Sequence, residues 1–172
     1  PGFAAALIGR MLEARGYRVG LISQPDWHDV EAFKVLGKPR LGILITAGNL
    51  DSMLSEKTAA KKIRNTDSYS PGGKAGRRPE RATIVYANRM REAYKDVPII
   101  IGGIEASLRR FAHYDYWSDK VRHSMLLDSK ADILSYGMGE HSVAQIADAL
   151  AEGKTTAEMY NIRGICYVTG KT

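Results

Sequence analysis

The sequence predicts an α/β fold with parallel strands and helices on both faces of the sheet, and three observations predict it. Strand-like and helical segments alternate along the chain, the pattern made by right-handed crossovers between parallel strands. Residues 98–101 form an apolar run that empties into Gly102-Gly103-Ile104-Glu105-Ala106-Ser107, a glycine pair followed by a polar helix start. Residues 133–136 repeat that form, passing through Gly137-Met138-Gly139-Glu140 into a helical pattern over 142–150. Paired glycines let the backbone turn tightly and approach a ligand closely, and the N–H groups of a following helix attract an anion. Both junctions are therefore expected on one ligand-facing edge.

The elements follow in order. Phe3, Leu7, Ile8, Met11 and Leu12 have helical spacing, with Pro1 suited to the opening turn and Gly16 to the stop. Residues 17–23 read as a strand, Pro25-Asp26-Trp27 as a turn, 30–36 as a short helix and 40–46 as an apolar strand. Ala47-Gly48-Asn49 is loop-like, and 50–63 reads as a helix with a basic outer side. Residues 65–78 include Ser70-Pro71-Gly72-Gly73-Lys74-Ala75-Gly76-Arg77-Arg78, too rich in glycine and proline for a helix or a central strand. A long irregular segment of this kind is usually functional or mobile. Helical periodicity resumes over 82–94 through Val85, Arg89 and Ala93. Beyond the glycine pair, 104–127 reads as helical for much of its length, with Leu108, Phe111, Tyr114, Val121 and Met125 tracing a stripe. Aromatics at this spacing are expected in a core rather than on a base-stacking platform. The last strand is 164–168. With no repeat and no linker, residues 1–172 read as a single α/β domain. In a doubly wound sheet the first strand is central and its C-terminal end helps form the ligand crevice. This chain opens on a helix, so the first strand is expected to be missing from it and to precede Pro1 in a longer protein.

Composition sets the bounds on chemistry. A chain of 172 residues, 44% hydrophobic and 26% charged, is long enough for one proper core. It has neither an apolar run near the roughly 18 residues that span a bilayer nor a basic-then-apolar leader, so a cytoplasmic protein is expected. The single cysteine, Cys166, cannot supply the thiolates of an iron–sulfur cluster or structural zinc site, and reads as an inert core thiol. His28, His113, His123 and His141 lack the short spacing that places two metal ligands on one helix face. The formal charge of +6 is concentrated: residues 57–92 hold ten basic residues (Lys57, Lys61, Lys62, Arg64, Lys74, Arg77, Arg78, Arg81, Arg89, Arg91) against three acidic ones (Asp67, Glu80, Glu92). Such localisation suits an anionic partner, and equally a solvated charged loop.

Two phosphate-binding motifs are approached and missed. The tail 164–172 places five residues between its glycines where a P-loop needs four, and no helix follows. Gly137-Met138-Gly139-Glu140-His141-Ser142 lacks the third glycine of a dinucleotide fingerprint. Glu105 and Glu140, each at a helix start just past a strand, suit either the positive helix terminus or a ribose or amine contact.

Long contiguous blocks carry a resemblance. Ser23-Gln24-Pro25-Asp26-Trp27, Gly48-Asn49-Leu50-Asp51-Ser52-Met53, the segment 69–79 and the segment 101–122, with Gly102-Gly103-Ile104-Glu105-Ala106-Ser107-Leu108-Arg109-Arg110 at its start, closely resemble the N-terminal domain of YgiQ-type radical SAM proteins. The resemblance covers nearly the whole chain. It implies a Rossmann-like, three-layer parallel sheet similar to cobalamin-binding domains, with its first strand missing here. It further implies a C-terminal barrel in the full-length protein that binds a [4Fe-4S] cluster and S-adenosylmethionine through a cysteine triplet absent from this chain. Gly102-Gly103 is similar to the glycine pair that accommodates the nucleotide tail of cobalamin, but the Asp-x-His-x-x-Gly loop offering a lower axial histidine is not visible.

These readings converge on an accessory domain that forms a substrate crevice over the barrel. The expected ligand contacts are Asn49, Asp51, Gly102, Gly103, Glu105, Ser107 and Gly139, with Lys74, Arg77 and Arg78 meeting negative charge. Two other readings stand beside it. One is a nucleic-acid or phosphate-binding module using residues 57–92, with Tyr114 or Trp117 stacking on bases. The other is a domain that only packs against the barrel and holds its shape.

Overall fold

The structure is a computed structural model and describes residues 2–170. Pro1, expected in the opening turn, and Lys171 and Thr172 of the P-loop-like tail lie outside the described residues. Three short apolar strands form the centre: β1 (Ile43–Ile45), β2 (Ile99–Ile101) and, after a hairpin of β3 (His113–Asp115) and β4 (Lys120–Arg122), β5 (Ile133–Ser135). A last strand, β6 (Ile165–Tyr167), closes the other side. The sheet order is β1-β2-β5-β6, parallel except that β6 runs antiparallel to β5, with Leu134 opposite Cys166. The sheet is thus mixed and mostly parallel, compatible with a Rossmann-like domain.

Strand alternation divides the core in two. Ile43, Ile45, Ile99, Ile101 and Leu134 face one side and pack with Phe33, Ala82, Tyr86, Ala87, Met125 and Leu126. Those partners belong to a 3₁₀ turn (Val30–Phe33), to α3 (Ala82–Ala93) and to α5 (Met125–Ser129). Ile100 and Ile133 face the other side and pack with Ile146, Ala149 and Met159. Ile146 and Ala149 lie on α6 (Glu140–Ala151), against which α1 (Phe3–Ala14) also packs. Arg15 and the Tyr17 hydroxyl both bond to Asp148 and fasten that pair of helices. The sheet is covered on both faces, as expected. The remaining helices, α2 (Ser52–Glu56) and α4 (Gly103–Leu108), are short and lie beside the rim.

Five expectations need correction. Residues 17–23 have no regular secondary structure and pair with no strand among the described residues, and β1 pairs only with β2. The helix expected over 30–36 is the single 3₁₀ turn. The helix expected over 50–63 stops at Glu56, where the chain folds back through isolated bridges between Lys57 and Ile63 and between Thr66 and Lys74. The helix expected over 104–127 is broken into α4, the β3–β4 hairpin and α5. Its stripe is not a core: Leu108, Phe111, Tyr114 and Val121 are exposed. The break has a local cause, since Asp115 accepts from the Ser118 amide and hydroxyl, and Asp119 takes a left-handed φ of 53° to turn the hairpin. Finally, the all-parallel sheet becomes mixed at β6. Cys166 does lie on β6, half-buried, and burial pushes its thiol pKa up.

Candidate functional site

Three strand ends meet at one rim. β1 ends at Thr46–Gly48, β2 at Gly102–Gly103 and β5 at Tyr136–Gly139, and the contacts between them are direct. The Gly102 amide donates to the Ile45 carbonyl at 2.9 Å. A β-carbon on Gly102 would sit 3.2 Å from the Ser135 carbonyl oxygen, and one on Gly139 would sit 3.0 Å from Ser135 Oγ. Gly103 has φ +81°, and a β-carbon there would collide with Thr46 Oγ1. Gly102 and Gly139 therefore share one border of the sheet. Here glycine is demanded by close packing of the protein on itself.

Ser107 ties the two glycine junctions together. Its hydroxyl donates to the Gly103 carbonyl at 2.8 Å and accepts from the Gly137 amide at 3.1 Å. Asn49 caps α1 across the rim, its Oδ1 accepting from the Phe3 amide at 3.1 Å.

Two carboxylates hold the rim from beneath. Glu105, 1% exposed, accepts from the Ser52 amide at 2.7 Å with Oε2 and from the Thr83 amide at 3.0 Å with Oε1. It thereby serves the first-turn amides of both α2 and α3. The Ser52 hydroxyl adds a bond from the Ala82 amide. Asp51, also buried, caps α2 through the Met53 amide and pairs with Arg109 at the end of α4. Both carboxylates are thus engaged within the protein on both oxygens.

The expected cations separate in the same way. Arg78 is 6% exposed, donates through Nε and Nη2 to the two oxygens of Asp67 at 2.9 and 2.8 Å, and lies over the Tyr69 ring. Burial works to raise the Asp67 pKa, but Arg78, the Ser70 hydroxyl and the Tyr69 amide outweigh it and hold the carboxyl below its ordinary value. Lys74 and Arg77 are exposed, and Arg77 lines a shallow depression with Gln24–His28 and Gly76. Of the ten basic residues in 57–92, five pair with carboxylates: Lys57 with Glu80, Arg78 with Asp67, Arg81 with Asp115, Arg89 with Glu92 and Arg91 with Asp132. Arg64 donates to the Leu54 and Lys57 carbonyls, and Lys61 lies 4.7 Å from the Tyr116 ring centroid. Three of these pairs use the segment's own acids, so of the surplus of seven only Arg81 and Arg91 are met by carboxylates outside it.

One rim residue was not expected. Arg110 donates to the Ser107 carbonyl at 2.7 Å, and its guanidinium lies 5.1 Å from the Tyr136 ring centroid and 4.9 Å from that of Phe111. No carboxylate pairs with it among the described residues. Its sequence neighbourhood gave no warning, because the Tyr136 it stacks on is 26 positions away on the next glycine junction.

The site offers no redox centre. The chain has one cysteine, and no group of three His, Cys, Asp or Glu able to hold a metal ion occurs among the described residues. An iron–sulfur cluster does not fit these residues. No helix among the described residues is long and apolar enough to cross a membrane.

The fold and rim define an α/β domain whose strand ends form one glycine-lined edge. The family described as Radical SAM N-terminal matches residues 1–172, and the chain belongs to that family. It is 58% identical over 165 residues to a UPF0313 protein of Rhodopseudomonas palustris, covering 96% of this chain and 24% of that protein. It is also 58% identical over 164 residues to a UPF0313 protein of Vibrio vulnificus, covering 95% of this chain and 21% of that protein. With a UPF0313 protein of Clostridium botulinum it shares 56% over 168 residues, 98% of this chain and 26% of that protein. The chain spans about a quarter of the length of these relatives. No solved structure matches it.

Proposed function

We propose that this domain is the accessory N-terminal part of a radical SAM enzyme and that its rim forms one wall of the substrate crevice. The cluster and S-adenosylmethionine belong to a barrel C-terminal to these residues, and the chemistry they supply is generation of a substrate radical. This chain's part is to position substrate. The observation that carries the reading is the convergence of three strand ends at Thr46–Gly48, Gly102–Gly103 and Tyr136–Gly139, with the Arg110 guanidinium, which has no carboxylate partner among the described residues, stacked beside them. Ligands of open α/β sheets bind outside the carboxyl ends of the strands. Asn49, Gly102, Gly103, Ser107 and Gly139 shape the rim. Asp51 and Glu105 hold it rigid from below, and Arg110 meets an anionic group of the substrate.

In the full-length protein with cluster and S-adenosylmethionine, Arg110→Ala should lower the 5′-deoxyadenosine formation stimulated by a cell extract containing substrate, and leave slow unstimulated formation unchanged. Equal stimulation of variant and parent would favour the purely structural reading. The nucleic-acid reading rests on the five basic residues of 57–92 that have no acidic partner among the described residues, Lys61, Lys62, Arg64, Lys74 and Arg77. RNA and DNA titrations at low salt test it, and phosphate-dominated binding would weaken steeply as salt rises.

A further inference from the structure

We infer that a parallel β-strand, supplied by residues ahead of Phe3 in the longer protein, inserts between β1 and residues 17–23 and completes the sheet. The inference does not depend on what the rim binds.

β1 is an open edge. In the order β1-β2-β5-β6 it has one neighbour. Ile43 donates to the Pro98 carbonyl and Ile45 accepts from the Gly102 amide, so these two residues face β2. The N–H and C=O of Leu44 therefore point away from β2, and an unpaired row of this kind is a template for another strand. Residues 17–23 have no regular secondary structure and pair with no strand among the described residues. They lie beneath α1, where a β-carbon on Gly9 would meet Val19 Cγ1 at 3.8 Å.

Side chains along the same line lack cover. Leu44, at the centre of an otherwise buried strand, is 43% exposed, and Leu7, Val19 and Leu21 of α1 and the segment after it are exposed too. α1 and α6 are both 12 residues long, yet α1 buries only Leu12 while α6 buries five residues. A helix with an apolar stripe that covers little implies a missing neighbour.

The direction of α1 names the occupant. The Phe3 amide bonds to Asn49, just past the C-terminal end of β1, so α1 begins at the rim. A strand parallel to β1 also ends at that rim, and would pass directly into α1. From there α1 leads to residues 17–23, the order of a β-α-β unit, whose crossover is right-handed as a rule. The relatives are about four times longer than this chain. The inserted strand's final turn would then join Gly48 and Asn49 on the rim.

Hydrogen exchange on the intact full-length protein, read at single-amide resolution, tests this together with an experimental structure of the same protein. The amides of Leu44, Val19 and Leu21 should exchange within about tenfold of those in β2, independent of protein concentration. The residues preceding Phe3 should occupy the gap in parallel register. Exchange at the unstructured-chain rate would overturn the inference. So would protection that grows with concentration, which points to a second copy, or a gap filled by downstream residues.

Discussion

Substituting Glu105 with glutamine separates a carboxylate that holds the rim from one that touches substrate. Its two oxygens accept the Ser52 and Thr83 amides at 2.7 and 3.0 Å, and the side chain is 1% exposed. Glutamine keeps one acceptor and replaces the other by an N–H₂ group facing an amide donor. One buried donor is then unsatisfied, at a cost of about 1–3 kcal/mol. Loss of negative charge at two helix starts adds about 1 kcal/mol. The sum, about 2–4 kcal/mol, corresponds to a fall in Tm of roughly 5–15 °C for a domain of this size. Thermal and urea unfolding of Glu105→Gln measure it. If stability stayed within about 0.5 kcal/mol of the parent, while substrate-dependent turnover of the full-length enzyme collapsed, Glu105 would be a ligand contact and the capping argument would be wrong.

Three further outcomes follow from the same geometry. Gly103→Ala should destabilise by about 1–3 kcal/mol, because φ is +81° and the new methyl meets Thr46 Oγ1. Thr46→Ala in the same chain should recover only part of that loss in denaturant midpoints, since the backbone strain stays. Breaking the buried Arg78–Asp67 pair with Arg78→Ala should cost about 3–5 kcal/mol in urea unfolding, against less than about 1 kcal/mol for the exposed pair Arg10–Glu13. Burial pushes the Asp115 pKa up, but the Ser118 hydroxyl and Arg81 outweigh it and leave it at about 2. That folded-state value lies below the unfolded one, so the carboxylate's contribution of about 2 kcal/mol is complete above roughly pH 4 and is lost as pH falls through 2. In Asp115→Asn the acid limb of the stability–pH curve should flatten in that window.

What the sequence disclosed was what local chemistry controls. The junctions at Gly102-Gly103 and Gly137–Gly139 were legible because an apolar run, a glycine turn and a helix start stand consecutively, and they do share one rim. α3 and α6 were legible from their periodicity. The β3–β4 hairpin was not, because Leu108, Phe111, Tyr114 and Val121 imitate helical spacing while lying exposed, and the turn is made by side-chain bonds from Asp115. Nothing near Ile165–Tyr167 distinguishes a parallel from an antiparallel partner, so β6 was misjudged. The roles of the charged residues were hidden for another reason: Arg78 meets Asp67 11 positions away, Arg81 meets Asp115 34 away, and Glu105 reaches amides 53 and 22 away. A surplus counted along the chain cannot reveal which charges are neutralised across it.

The proposal is that the edge carrying Gly103, Arg110 and Gly137 faces a radical-generating centre C-terminal to this chain. An experimental structure of the full-length protein with its cluster and S-adenosylmethionine measures this directly. The account requires those three residues to line the cavity that opens onto the S-adenosylmethionine site. An edge turned to bulk solvent, with the barrel docked instead against the α3 and α5 face, would contradict it.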